Sequence, residues 1–295
     1  MNKEQIDKTI QAGKIASQVK IYAKTIIKKD IPLLEIAEKI EDKIRELGGK
    51  PAFPTNLSIN EIAAHYTPSH NDQTLAQGLL KVDLGIHIDG YMSDTAFSID
   101  LENNEENKKL ILASEQALEN AIKIIKSNTT LNEIGKTIQS TIESHGAYPI
   151  VNLSGHSIEQ YDLHSGITIP NNPNNQEIPI GLGTRAIEPF ATFGNGKVHD
   201  GSDSDIYVLQ DSKNIRNPFA KEILDFIQEE YQTLPFCSRW IIKKFQTRAL
   251  FALKQLQDNG NIHRFPQLIE SSKSKVSQAE QTLLITEKET IVTTL

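Results

Sequence analysis

The sequence predicts an α/β chain of the α+β kind, built as two similar halves and interrupted late by a helical block. Three observations carry this expectation. Helical and strand patterns follow in the order helix, helix, hairpin, helix, helix, strands. Asp89-Gly90 lies between two alternating apolar runs, a strong two-residue hairpin signal. Between about residues 212 and 258 the pattern turns mostly helical and then returns to strand. The doubled order is not accompanied by a visible repeat in the sequence itself.

Taken in order, Ile6, Ile10, Ile15 and Val19 fall on or near one face of a first helix. Ile31-Pro32 restarts a second, through Leu34, Ile36 and Ile40 to Leu47, and Gly48-Gly49 ends it. Residues 51–67 read as irregular to extended, and the hairpin KVDLGIHIDGYMSDTAFSI follows at 81–99. Residues 103–107 form a polar turn before an amphipathic helix over 108–127. A fourth helix spans 130–145, with Gly146 as its stop. Residues 149–170 look like short strands and loops, NNPNNQEIP at 171–179 like a surface loop, and 184–191 like a strand. AKEILDFIQEEY and then FCSRWIIKKFQTRALFALKQLQDNG read as helical, the second run ending at Asn259-Gly260. Residues 276–294 return to strand character.

A chain of 295 residues with 38% hydrophobic and 23% charged residues can bury a sizeable core without covalent staples. The net charge of −7 argues against nucleic-acid affinity of the basic-patch kind. One cysteine, Cys237, excludes internal disulfides and Cys-rich zinc sites, and fits a reducing, cytoplasmic compartment. The charged, amphipathic N-terminal stretch does not read as a secretory signal. No apolar run approaches the roughly 20 residues needed to span a bilayer.

The hairpin poses the chemical question, because it sets Asp83 and Asp94 among Val, Leu, Ile and Phe. Pairing through Asp89-Gly90 places Ile88 opposite Tyr91, Asp83 opposite Ala96 and Gly85 opposite Asp94. Side chains alternate along a strand, so Asp83, Gly85, Asp94 and Ala96 share one face. Val82, Leu84, Ile86 and Ile88 point to the other, into the core. Gly85 and Ala96 are small and would leave room between the carboxylates. Such a pair would either share a proton or hold a cation; capping a turn or facing solvent is the plainer reading, and the better one for Asp89. His87 lies on the same face toward the turn and reads as a surface residue.

Other candidate ligands are scattered: His156 in VNLSGHSI, His164 in YDLHSG, Glu188 in RAIEPF and Glu280 in SQAEQTLLIT. Each alone is more often structural than catalytic, as a hydrogen-bonded buried histidine or a strand-edge glutamate paired with a lysine. Together, two Asp, one His and two Glu at the edges of apolar runs suit Mn, Co, Fe or Zn in a two-metal site.

PAFPTNLSINEIAAHYTP, KVDLGIHIDGYMSDTAF, VNLSGHSIEQYDLHSG, AIEPFAT, LPFCSRW and the weaker SQAEQT occur in an order and spacing that resembles the methionine aminopeptidases of type II, in their short archaeal form. The resemblance covers essentially the whole chain. It implies a pita-bread fold, two pseudo-symmetric halves around a dinuclear site, in a catalytic domain of residues 1–198 and 266–295. A helical insertion would occupy 199–265. The implied metal ligands are Asp83, Asp94, His156, Glu188 and Glu280, with Asp94 and Glu280 bridging two divalent ions (Co, Mn, Fe or Zn). The ions would activate a shared water against the first peptide bond, with Glu188 as proton shuttle. The substrate α-amine would bind on the Asp83 side. His65 and His164 would contact the scissile peptide and stabilise the oxyanion. Phe53, Leu163, Phe190, His199, Phe265 and Leu268 would line an apolar methionine pocket. The same resemblance implies a cytoplasmic monomer acting on nascent polypeptide N-termini, with ribosome contact sensible for access to them, a small second residue in the substrate, and no membrane or specific nucleic-acid partner.

The last motif departs from the family's usual Gln-Phe-Glu-His-Thr: here it is Gln278-Ala279-Glu280-Gln281-Thr282. That substitution is expected to open space at Ala279 and to remove a contact at Gln281 that would tune the metal. Two other readings compete. A prolidase or Pro-specific aminopeptidase shares the fold and ligands, but the AAHYTP and LPFCSRW motifs favour methionine release. A non-catalytic RNA- or ribosome-binding relative would have lost ligands that this chain keeps.

Overall fold

The computed structural model describes residues 1–175 and 177–295; Gln176, inside the expected surface loop 171–179, lies outside the described residues. Two helix pairs each cover one sheet. The first pair is α1 (Lys3–Ile26) and α2 (Leu33–Glu46). An Asn2/Gln5 capping box starts α1, satisfying backbone N–H groups that the first turn leaves open. α1 buries Ala12, Ile15, Ala16, Val19 and Ala23, while α2 buries Leu33, Ile36, Ala37, Ile40 and Ile44. Both pack on the apolar face of the hairpin Leu79–Ile88/Tyr91–Asp100, where Leu80, Val82, Leu84 and Ile86 complete the cluster. Gly48, at φ 84°, ends the pair in the left-handed conformation that glycine adopts without penalty.

The second pair repeats the plan. α3 (Glu105–Ile124) starts at Asn104, and α4 (Leu131–Ser144) starts at a Thr130/Glu133 capping box. α3 therefore begins three residues before the expected position, because the Asn104 side chain accepts from the N–H groups of Glu106 and Asn107. α3 and α4 lie over a five-stranded sheet in the order Thr290–Val292, Gln281–Ile285, Gly183–Ile187, Ser154–Glu159, Asp162–Pro170. Leu110, Ala117, Ile134 and Ile138 meet Ile169, Ile187 and Leu283 there. Two helix–helix–sheet layers thus form around two separate cores. Among the described residues, no helix is long and apolar enough to cross a membrane.

The hairpin has the expected register: Asp83 pairs with Ala96, Gly85 with Asp94, and Ile88 with Tyr91. Asp89 and Gly90 both take positive φ, 49° and 82°, as the tight two-residue turn requires. Two expectations here are corrected. His87 is buried, because the tip of the next hairpin covers it: Tyr161 N–H donates to Gly90 O, and the Tyr161 ring packs edge-on against His87. Gly85 leaves no open space either. A β-carbon there would lie 2.3 Å from the Phe53 ring, so its smallness admits an aromatic side chain rather than an ion.

The last strands cross from one half to the other, and hydroxyl groups fasten them. The Thr282 hydroxyl accepts from Asp94 N–H at 2.7 Å and donates to Asp94 O at 2.7 Å. The Thr95 hydroxyl donates to Glu280 O, and Glu280 N–H donates to Ala96 O. The Ser98 hydroxyl donates to Gln278 O and accepts from Gln278 N–H. Asp94 on the hairpin and Glu280 in the link between two later strands are held at a fixed mutual position this way.

Two long strands, Val198–Leu209 and Ile262–Glu270, pair antiparallel and frame the helical block. The sequence showed no strand pattern for the first of them. Inside the frame lie α5 (Pro218–Glu230), α6 (Ser238–Phe245) and α7 (Ala249–Asp258), with their own core around Ile223, Ile227, Phe236, Trp240, Ile241 and Leu256. The expected continuous helix over 236–260 is broken at Gln246, φ 64°, which turns α7 back so that both helices bury their apolar faces in that core. The strand expected over 184–191 is also interrupted. It divides into Gly183–Ile187 and Phe190–Thr192 at Glu188-Pro189, where proline cannot donate to the ladder.

The hydroxyl bridge at Thr282 should be costly to lose. Thr282→Val keeps the shape but strands a buried N–H and C=O of Asp94, so unfolding free energy should fall by about 1–3 kcal/mol. Urea melts of the metal-free protein check this, and an unchanged midpoint would show that the bridge is dispensable.

Candidate metal centre

Each candidate ligand is set by a backbone feature already described. Asp83 and Asp94 face the same side of the hairpin. His156 is on Ser154–Glu159 opposite Ala186, and Glu188 follows two residues after that partner. The side-chain amide of the fully buried Asn171 donates to both Leu153 O and Glu188 O, fixing the bend that presents Glu188. Glu280 sits in the gap between Val276–Gln278 and Gln281–Ile285.

These elements bring the five side chains together. Asp94, His156 and Glu280 are buried, and each offers a ligand atom within 4.8 Å of the others. His156 Nε2 lies 3.7 Å from Asp94 Oδ2 and 3.5 Å from Glu188 Oε1. Gln278 Nε2 donates to Asp83 Oδ2 at 3.3 Å, while the Oδ1 atoms of Asp83 and Asp94 are buried without a hydrogen-bond partner.

The electrostatics define what the cluster can hold. Burial pushes the Asp83 carboxyl up to about 7. Burial first, and then the neighbouring carboxylates, raise Asp94, Glu188 and Glu280 well above the usual range. Burial lowers His156 to about 3, so its contacts with Asp94 and Glu188 are not ion pairs at neutral pH. Ser157 O lies 3.3 Å from His156 Nδ1, which assigns the ring proton to Nδ1 and turns the Nε2 lone pair toward both carboxylates. A lone pair facing carboxylate oxygens repels them unless a proton or a cation lies between. Two orphaned carboxylate oxygens, an imidazole lone pair and an oxygen-rich donor set therefore fit divalent transition-metal ions.

Around the cluster, His164 packs on His156 with ring centroids 4.2 Å apart, exposed at its outer edge yet enclosed enough that burial lowers its pKa. His65 takes a left-handed φ of 65°, packs 5.5 Å from Phe265, and is lowered to about 4 by burial. Its Nδ1 lies 3.2 Å from Pro266 O, so the neutral ring carries its proton there and leaves Nε2 as an acceptor. Phe53 and Leu163 share an apolar cluster with Met92, Ile158 and Leu234. Phe190 is buried in a second cluster against which Leu268 packs. His199 is exposed on Val198–Leu209, opposite Ile269, and joins neither cluster.

Several contributors escaped the sequence reading. Gln278, Asn171, Thr95, Ser98 and Thr282 hold ligands, and Leu234 adds an apolar wall from the helical block. The hydroxyls flanking Asp94 and Glu280 in SDTAFS and EQT were the available signal. The expectation about the unusual last motif is also corrected. Gln278 and Glu280 face the ligands, but Ala279 belongs to the core under α3 and α4, and Gln281 contacts Thr294. A smaller residue at 279 therefore adjoins that core rather than the ligand cluster.

The model of metallopeptidase family M24 matches residues 7–205. The methionine aminopeptidase of Methanocaldococcus jannaschii is 48% identical, with 100% of both chains covered. A solved thermophilic Arx1 superposes with a TM-score of 0.87 at 16% identity, covering 99% of this chain and 91% of that one. The methionine aminopeptidase of Thermotoga maritima does so at 0.73 and 22%, covering 100% and 98%. The two structural likenesses establish the pita-bread fold.

The raised carboxyls make the metal-free protein pH-sensitive. A group whose folded pKa exceeds its unfolded value stabilises below the unfolded pKa and loses that contribution as pH rises through the folded one. Asp83, at about 7, and Asp94, Glu188 and Glu280, raised well above the usual range, lose theirs progressively from the ordinary carboxyl value of about 4 upward. His65 and His156, held low, oppose this loss until the unfolded imidazole finishes titrating above its ordinary value of about 6.5, after which the carboxyl loss stands alone. The Tm of chelator-treated protein should therefore fall between pH 6.5 and 8, and the gain in Tm on adding Mn or Co should widen. A flat difference across that window would mean the carboxyls do not titrate there.

Proposed function

The chain belongs to the methionine aminopeptidases of metallopeptidase family M24, and we propose that it removes the N-terminal methionine from peptides and nascent proteins by metal-dependent hydrolysis. The observation that carries this is the convergence of four carboxylates around the Nε2 lone pair of His156. Asp83, Asp94, His156, Glu188 and Glu280 would hold two divalent ions (Co, Mn, Fe or Zn). When bound, the ions supply Lewis acidity and lower the pKa of a water at the site.

The chain's own residues do the rest. Glu188 is half-buried at the edge of the cluster, 3.5 Å from His156, where it can take a proton and return it to the departing amine. Neutral His65 cannot donate from Nε2 while Pro266 O holds its Nδ1 proton. It therefore accepts from the scissile N–H, and oxyanion stabilisation falls to His164, a division that revises the paired role expected above. Phe53, Leu163 and Leu234 form an apolar surface for the methionine thioether. Phe265 packs on His65, and Phe190 and Leu268 pack together in a separate apolar cluster.

The helical block between the two long strands supports assignment to type II, with an insertion over 199–265 and a catalytic domain over 1–198 and 266–295. The chain is read as a cytoplasmic monomer meeting nascent chains, with ribosome contact as a means of access.

Metal-stripped protein reloaded with Mn, Co or Fe should release methionine from Met-Ala-Ser and leave Xaa-Pro peptides intact. No release under any of these metals would overturn the reading, and cleavage of the Xaa-Pro peptides alone would assign a Pro-specific enzyme. Glu188→Gln should lower kcat by about 10²–10⁴-fold. Equal turnover by mutant and wild type would remove Glu188 from the proton path.

A further inference from the structure

α2 places a carboxylate, Glu41, on its otherwise apolar buried face. The first turn of α6 places Arg239 against it, and the two side chains are only 2% and 4% exposed. The guanidinium donates twice to the carboxylate, from Nη1 at 2.7 Å and from Nη2 at 2.9 Å. It also donates from Nη2 to the Thr67 hydroxyl and from Nε to Pro68 O, both at 3.0 Å. Glu41 accepts further from Trp240 Nε1 and Thr55 N–H. The Thr67 hydroxyl donates to Thr55 O. One ion pair is therefore bonded to three separate segments.

Each segment carries a residue of the proposed substrate site. Thr55 is two residues from Phe53, Thr67 is two residues from His65, and Arg239 is five residues from Leu234. Phe53 and Leu234 meet in the same apolar cluster. His65 has a left-handed backbone, which persists only where its surroundings over-determine it. Its ring is tied to Pro266, and the chain just beyond it is tied to Arg239.

We propose that Glu41 and Arg239 are positioning residues for the substrate mouth, locking the loops that bear Phe53 and His65 against the wall that bears Leu234. The inference rests on the function proposed above. Stability alone does not explain the pair: desolvating two charges consumes most of their attraction, and apolar replacements of similar size are often neutral or stabilising. An apolar pair could fill the volume and fasten the helical block to α2. It could not donate to Thr67 and Pro68 or accept from Thr55.

The double variant Glu41→Leu/Arg239→Met separates the two roles. The fold should persist with a lowered Tm, because Thr55 N–H, Trp240 Nε1 and Pro68 O lose their partners. In metal-free protein, amide exchange at 53–56 and 65–68 should accelerate while the α1–α2 core stays protected. In metal-loaded protein, KM for Met-Ala-Ser should rise about tenfold or more, since small misplacements at a binding site are costly. Unchanged loop exchange in a folded double variant would overturn the proposal and leave the pair as a fastener. Should the double variant not fold, Arg239→Lys keeps the charge but loses the planar fork. It should show the same loop acceleration, and wild-type exchange there would equally overturn the proposal. Exchange is read without turnover, so a wild type that releases no methionine would sink the functional reading while the loop result still decides the positional one.

Discussion

Asp83, Asp94, Glu188 and Glu280 crowd into one desolvated space, and much of the surrounding structure depends on keeping them there. Two like charges about 4 Å apart repel by about 4 kcal/mol at the dielectric usual near protein groups. The metal-free protein answers by holding protons on groups that would ordinarily be ionised, which is why burial and neighbouring charge raise these carboxyls together. His156 cannot relieve the repulsion, because burial keeps it neutral and its Nδ1 proton faces a backbone carbonyl. A divalent cation is the species that turns this arrangement from repulsive to attractive. The site stores in its fold the geometry that an ion needs, at the expense of the ion-free state.

Holding repelling groups at fixed positions needs a rigid frame. Each ligand is placed by main-chain hydrogen bonding rather than by a free loop. Thr282 bridges both polar backbone atoms of Asp94, Thr95 fastens Glu280 O, and Asn171 braces the bend at Glu188. The threonine contacts span the seam between the two halves, so the seam is also where the centre lies. The two helix pairs supply separate apolar cores behind each sheet, leaving the polar chemistry confined between them.

The helical block adds a different constraint. It carries its own core and could have packed on the body through apolar contacts alone. Instead a buried, fully hydrogen-bonded pair joins it to α2 and to two loops beside the ligands. An ion pair of this kind is a weak source of stability but a strong source of directional specificity. The mouth of the site is thereby shaped by residues nearly 200 positions apart in the chain.

Much of this was legible before any coordinates. Period-2 alternation around Asp89-Gly90 determined the hairpin register, and with it the shared face of Asp83 and Asp94. Helical spacing and capping residues determined the two helix pairs to within a few residues. These features are local, and local patterns encode them. Tertiary structure decided what local patterns do not carry. Gly85 makes way for Phe53, His87 is covered by Tyr161, and the Pro266 carbonyl selects the proton position on His65. The altered last motif shows the same division. The substitutions at 279 and 281 were visible in the sequence, but only the packing of the strand showed them directed toward the helix core and Thr294. Neighbours brought together by folding set those outcomes, and no spacing along the chain records which neighbours they will be.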